Sequence, residues 1–165
     1  MIAGPDPNDE RSAHLAVLIF GLAGERCALP ARDVREVVRA VLPARLPKAP
    51  PIVAGVINLR GELIPVLDVR RRFRLPPRFI SPDDHIIVAT AGDRVVGFAV
   101  DRALELVQIP VAEVHAASEV AAGVEHVAGI ARLPDGLLVI YDLDAFFSTD
   151  EAFALDRSIA RAQAS

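Results

Sequence analysis

The chain has 165 residues, 52% hydrophobic and 24% charged, with a formal net charge of −4 and a single cysteine. That is enough apolar material for one domain with a sizeable core, or for two small subdomains sharing one, and it excludes disorder over most of the length. It gives no general electrostatic reason to bind nucleic acid or an anionic membrane, since both need a concentrated positive field.

Residues 1–13, with Gly4, Pro5, Pro7 and Asn8 and little to bury, read as a flexible N-terminal arm. The acidic, polar start is unlike a signal peptide and no apolar run is long enough for a spanning helix, so the expected location is cytoplasmic. The domain proper is expected over 14–160. His14 to Phe20 reads as a strand, Gly21 to Glu25 as a turn and Arg26 to Leu29 as a returning strand. Cys27 lies in that apolar stretch with no disulfide or metal companions, and is expected as a small buried hydrophobe. From Ala31 to Arg39, Val34, Val37 and Val38 recur at helical spacing, which leaves a short helix and an extended turn both open. Four prolines make Leu42 to Pro51 a connecting loop.

Val56 to Leu59 and Leu63 to Leu67 flank an Arg-Gly-Glu turn and form a hairpin that carries Asn58 and Arg60 to its tip, with Gly61 supplying a positive φ. Pro65 belongs at a sheet edge or a bulge, and Asp68 caps a helical turn through Arg70 to Arg72. After a Pro-rich loop, His85 to Thr90 and Val95 to Val100 form a further hairpin, which Asp101 to Ile109 leads out of. Pro110 to Gly123 reads as a loop with a helical turn. A capping box of Ser148 and Glu151 opens an amphipathic helix from about residue 149, with Phe153, Leu155 and Ile159 on its apolar side.

The chain repeats itself. Val53 to Val69 aligns without gaps on Val127 to Leu143 at a shift of 74, both copies beginning Val-Ala-Gly and both followed by phenylalanine, Phe73 and Phe147. Ala23-Gly24-Glu25-Arg26 and Ala91-Gly92-Asp93-Arg94 match at a shift of 68, and Glu36 matches Glu105 at 69. Short strands with Pro and Gly punctuation, duplicated, predict an all-β fold of two small intertwined barrels sharing an apolar junction, with short helices and a C-terminal helix. Separated halves are expected to be insoluble.

No catalytic or metal-binding constellation emerges, and no enzyme or cofactor is expected. His14, His85, His115 and His126 are scattered, and the carboxylate pairs Asp83 with Asp84 and Asp142 with Asp144 suit turns and caps. Arg70 to Arg74 with Arg78 is the one basic patch. It supports an alternative, a small-barrel nucleic-acid binder, although a solvated helical turn with Phe73 facing the core suits a chain with so few aromatics better. Arg60 differs from its repeat counterpart Pro134, and Asn58 from Arg132, while the apolar frame persists. Positions that differ between copies are free to serve function, and a tip arginine is a good protein anchor.

Gly55-Val56-Ile57-Asn58-Leu59-Arg60-Gly61, continuing to Pro65-Val66-Leu67-Asp68-Val69, resembles the signature of the CheW family of chemotaxis coupling proteins. The resemblance extends over about residues 14 to 160, including Val34-Arg35-Glu36-Val37-Val38 and Arg94-Val95-Val96-Gly97. It implies two five-stranded SH3-like barrels on a common core and a non-enzymatic adaptor, recruited to membrane receptor arrays. The partners it implies are the cytoplasmic tip of a methyl-accepting chemoreceptor and the regulatory domain of the histidine kinase CheA. By the same resemblance the receptor surface falls on Val34, Glu36, Asn58, Arg60, Gly61, His85 and Ile86, with no kinase-contact residues assigned.

Overall fold

The computed structural model of the protein describes residues 13–116, 127–145 and 149–164. The expected arm, His126, Phe147 and the capping Ser148 lie outside the described residues. The strands are β1 (His14–Leu22), β2 (Glu25–Pro30), β3 (Val34–Arg39), β4 (Val53–Leu59), β5 (Glu62–Leu67), β6 (His85–Ala91), β7 (Arg94–Val100), β8 (Arg102–Pro110), β9 (Val114–Ala116), β10 (Val127–Leu133) and β11 (Gly136–Tyr141). A one-turn helix α1 (Val69–Arg72) follows β5, and α2 (Thr149–Ala164) closes the chain.

Two sheets result, ordered β8-β1-β2-β11-β10-β9 and β3-β6-β7-β5-β4. These are the two SH3-like subdomains, and they are not the two sequence halves. The first hairpin, β1–β2, joins the last, β10–β11, through a parallel contact of Cys27 with Val139 and Ala28 with Ile140. The hairpin β6–β7 joins β4–β5 through a parallel contact of Val66 with Gly97 and Leu67 with Phe98. Each half of the chain thus completes the other half's sheet, which is how the barrels intertwine. The strand count differs from five plus five by β9 alone, where the second sheet has only a single bridge from Ala44 to Val56.

Because strands alternate their side chains, those in the middle of the molecule feed two cores at once. Val17 and Ile19 of β1 enter one cluster with Ala131, Leu138 and Ile140, inside the first subdomain. Leu18 and Phe20 point the other way, into a shared cluster with Leu67, Ile87, Phe98 and Leu143. Ile57, Ile64, Val66, Ile86 and Val88 fill the second subdomain. The shared cluster is the apolar junction that neither small barrel covers alone.

The repeat is structural to the residue. Every pair of the β4–β5 register, from Val53 with Leu67 to Leu59 with Glu62, recurs in β10–β11 at a shift of 74, including a register irregularity just before Gly55 and Gly129. Val56 and Ile130, and likewise Leu67 and Tyr141, therefore occupy matching places. The glycines are explained by sterics: a Cβ at Gly55 would lie 2.4 Å from the Ala44 carbonyl oxygen, and one at Gly129 would lie 2.9 Å from that of His115. The hairpins β1–β2 and β6–β7 correspond at 69 rather than 68, since Leu22 faces Glu25 as Ala91 faces Arg94.

One open reading is settled and one expectation is corrected. Ala31 to Arg39 is no helix: Ala31–Asp33 make a single 3-10 turn, and Val34 to Arg39 form β3, alternating half-buried and exposed. The β-branched valines suit a strand, and pairing with β6 decides it. Pro65 is neither on an edge strand nor at the register irregularity, since β5 runs between β7 and β4. It faces Val56, whose amide and carbonyl both bond Ala44, so this is a non-hydrogen-bonded pair and the ladder asks no N–H of Pro65. Pro110 to Gly123, as far as it is described, contains the expected turn at Val111–Glu113 and then β9.

Gly55→Ala is expected to destabilise the protein by about 2 kcal/mol, since backbone must move to admit the methyl, and Gly129→Ala by less. Urea unfolding of the two variants checks this, and equal tolerance of both would contradict it.

Candidate functional site

The β4–β5 turn is tight because both of its central residues have positive φ, Arg60 at 52° and Gly61 at 87°. The Asn58 side chain reinforces it, its Oδ1 accepting a hydrogen bond from the Gly61 amide at 2.8 Å. A glycine or asparagine would be at ease where Arg60 stands, so an arginine there is held in a conformation that its backbone disfavours. Strain of this kind gathers at functional sites.

The Arg60 side chain is 74% exposed and reaches Glu36 on β3 through two parallel hydrogen bonds, Nη1 to Oε2 and Nη2 to Oε1, both 2.9 Å. β3 and β4 are opposite edges of their sheet. In a flat sheet of five strands they would lie roughly 19 Å apart, so the contact shows that the sheet curls round to bring its edges together. Arg35 of β3 and Glu62 of β5 add a looser contact of 3.8 Å across the same mouth.

Hydrogen bonding from Arg60 holds the Glu36 carboxyl below its ordinary value. The contribution of the pair is thus complete above the ordinary carboxylate range and is lost as pH falls through the lowered value. Solvent and salt screen it, so its weight in stability is small.

The first subdomain closes its mouth with the charges rearranged. Glu105 on β8 faces Ile19 as Glu36 on β3 faces Val88, but the turn opposite offers Asp135 and no arginine. Arg26 of β2 bridges them, 3.8 Å from Glu105 and hydrogen-bonded to Asp135. Both mouths carry an ion-pair clasp, and only one of the two presents an exposed arginine at a strained tip.

Of the residues placed on this surface by sequence, Glu36, Asn58, Arg60 and Gly61 come together. Ile86 does not: it is 0% exposed, packed in the second subdomain's core, and is withdrawn from the candidate surface. His85 lies three residues along β6 from Val88, the partner of Glu36, or about 10 Å. Its Nδ1 accepts from the Ala103 amide at 2.9 Å, joining β6 to β8. Val34 is half-buried against the shared core, on the far side of the irregularity separating it from Glu36. The backbone strain at Arg60 escaped sequence reasoning, although the unusual Arg-Gly pair in a two-residue turn is its signal. Arg35 and Glu62 were missed too, and only the curl of the sheet brings them together.

The basic run is largely consumed internally. Arg70 bonds both oxygens of Asp101, Arg72 pairs with Glu151, and Arg78 pairs with Asp84 and Asp101. Burial would raise the Asp101 carboxyl, but hydrogen bonds from Arg70, Arg78 and the Ala23 amide outweigh it and hold it low. Asp68 caps α1 as expected, accepting from the Arg70 and Arg71 amides, and Phe73 stacks on Tyr141 at 4.3 Å. Cys27 is buried, and burial pushes its thiol up to about 11.

The model of the CheW-like domain matches residues 16–151. The chain belongs to the CheW-like domain family. It is 33% identical to the chemotaxis protein CheW of Bacillus subtilis over 103 residues, 62% of this chain and 66% of that protein. Against the CheW of Klebsiella aerogenes it is 28% identical over 141 residues, 84% of this chain and 85% of the other. The crystal structure of the scaffolding protein TtCheW from Thermoanaerobacter tengcongensis superposes with a TM-score of 0.76 at 32% identity, covering 84% of this chain and 95% of that one.

With the ion pair absent from both, Arg60→Gly should melt about 2–4 °C above Arg60→Ala, because glycine relieves the positive φ and alanine does not. Equal melting temperatures would mean that the tip carries no strain.

Proposed function

We propose that this CheW-family chain is a chemotaxis adaptor: its second subdomain holds the cytoplasmic tip of a methyl-accepting chemoreceptor, another surface holds the regulatory domain of the histidine kinase CheA, and neither contact involves chemistry. On this reading the protein works in the cytoplasm and joins receptor arrays at the membrane only through its partners. The observation that carries it is the bidentate Arg60–Glu36 pair, which fixes a 74% exposed arginine in one orientation at the tip of a strained turn. An arginine already held in place loses less entropy when a receptor helix docks on it. Glu36, Asn58 and Gly61 build the support, and Val34 and His85 lie at the margins of the surface. The nucleic-acid alternative is not favoured, because Arg70, Arg72 and Arg78 of its basic patch are already paired with carboxylates.

Titrating purified variants with a receptor tip fragment and, in parallel, with the kinase regulatory domain tests the proposal. Arg60→Ala should weaken receptor binding by about thirtyfold, as hot-spot truncations do, with the fold retained and kinase binding kept. Arg60→Glu should weaken it further by setting like charges face to face. Unchanged receptor binding by Arg60→Ala would make Arg60 an ordinary turn residue, and failure to bind either partner as the parent chain would refute the adaptor function itself.

A further inference from the structure

Charge is unevenly distributed along this acidic chain. Nine of its 18 lysines and arginines fall between Arg39 and Arg78, against two of its 22 acids. Arg60, Arg70, Arg72 and Arg78 are used in ion pairs, whereas Arg39, Arg45, Lys48, Arg71 and Arg74 are exposed and make no ion pair with a described residue. Two loops carry most of this excess, Leu42 to Pro51 and Arg70 to Asp84, and they lie side by side. Arg71 Nη1 donates to the Pro51 carbonyl at 3.1 Å, and the Ala40 amide donates to the Asp84 carbonyl at 3.0 Å.

Between the loops is a cavity of about 220 Å³, with Leu42 and Pro43 on one wall, Phe79 and Ile80 on the other, and Arg70 and Asp101 among its lining. Its rim is apolar and open: Phe79 is 95% exposed and Leu42 85%, with Val41 beside it at 55%. Leaving a phenylalanine in water forgoes the stabilisation that burial would supply. The walls are also fixed in advance. Leu46 is buried, Ala44 bridges β4, and Asp84 is held by Arg78 and by the Ser81 amide. A preformed cleft with an apolar mouth, whose own Asp84 and Asp101 are already paired with arginines and whose two flanking loops carry cations without an ion pair among the described residues, complements one kind of ligand, apolar in the middle and acidic around it.

We propose that the groove between the Leu42–Pro51 and Arg70–Asp84 loops is a docking site for an acidic amphipathic segment of a partner protein, one apolar side chain of which fills the cavity between Leu42 and Phe79. It is separate from the Arg60 tip and adds a second class of contact to the scaffold. Phe79 is the single exposed aromatic among the described residues, which favours a peptide side chain over stacked bases, since those need a run of aromatic platforms.

The test uses the full chain and a labelled synthetic peptide of about four helical turns, Leu and Phe on one face and Glu on the other, with a Lys-for-Glu version as control. The Glu peptide should bind and the Lys peptide should not. Phe79→Ala should weaken binding by about tenfold, and the combined Arg45→Glu and Lys48→Glu by a similar factor together with a flatter salt dependence. Arg60→Ala should leave it unchanged. All the altered side chains are exposed, so the variants should melt with the parent, and the charge variant gives an independent reading should Phe79→Ala unfold. Equal binding of the two peptides, parent-like binding by both variants, or tighter binding of anionic vesicles or duplex DNA through the same residues would each overturn the proposal.

Discussion

Two parallel ladders of two residue pairs each hold this molecule's topology: Cys27 and Ala28 against Val139 and Ile140, and Val66 and Leu67 against Gly97 and Phe98. Everything else in the sheets is antiparallel: the hairpins are local, while β1–β8 and β3–β6 also join the two halves of the chain. The first parallel ladder fastens the first hairpin to the last, across more than a hundred residues, and the second fastens β4–β5 to β6–β7, so neither half of the chain completes a sheet by itself. Most of the side chains in these two ladders are buried, with Val66 and Leu67 at 0% exposure. Pairing of this range is costly in chain entropy before it yields any stability, and the three apolar clusters that it assembles supply the return.

The same topology puts the candidate receptor surface where it is. Because β7 lies between β6 and β5, the strand β3 ends up on the edge opposite β4, and the curl that buries Ile57, Ile86 and Val88 brings Glu36 to Arg60. The other subdomain has the same curl with Arg26 bridging two carboxylates, so closure of the mouth does not require an arginine at the turn. Arg60 is therefore surplus to folding, and its strained backbone makes it a poor choice for stability alone. The combination fits a residue retained for what it presents outward.

Much of this was legible in the sequence. The Val-Ala-Gly repeat announced two superposable hairpins, and the reason now has an atomic form: at Gly55 and Gly129 a neighbouring carbonyl occupies the space a Cβ would need. Asp68 and Cys27 behave as their local context indicated. Other features were hidden because they depend on partners far away in sequence. Val34, Val37 and Val38 fit a helical period as well as a strand, and only pairing with β6 separates the two. The missing N–H of Pro65 points to an edge or a bulge, and the strand that makes β5 interior, β7, belongs to the other half of the repeat. Ile86 sits next to a half-exposed His85, and a strand alternation of one residue is the whole difference between surface and core.

On the proposed function, the Arg60–Glu36 pair orients a docking arginine and does little for stability. The measurement that bears on it most directly is a double-mutant cycle on Glu36→Ala and Arg60→Ala, read out both by chemical unfolding and by titration with a chemoreceptor tip fragment. On that proposal, the coupling between the two positions is expected near zero in unfolding and at least about fivefold in receptor affinity, since loss of Glu36 would free the arginine proposed to anchor the receptor. Effects on affinity that simply multiply, or a coupling confined to unfolding, would contradict it.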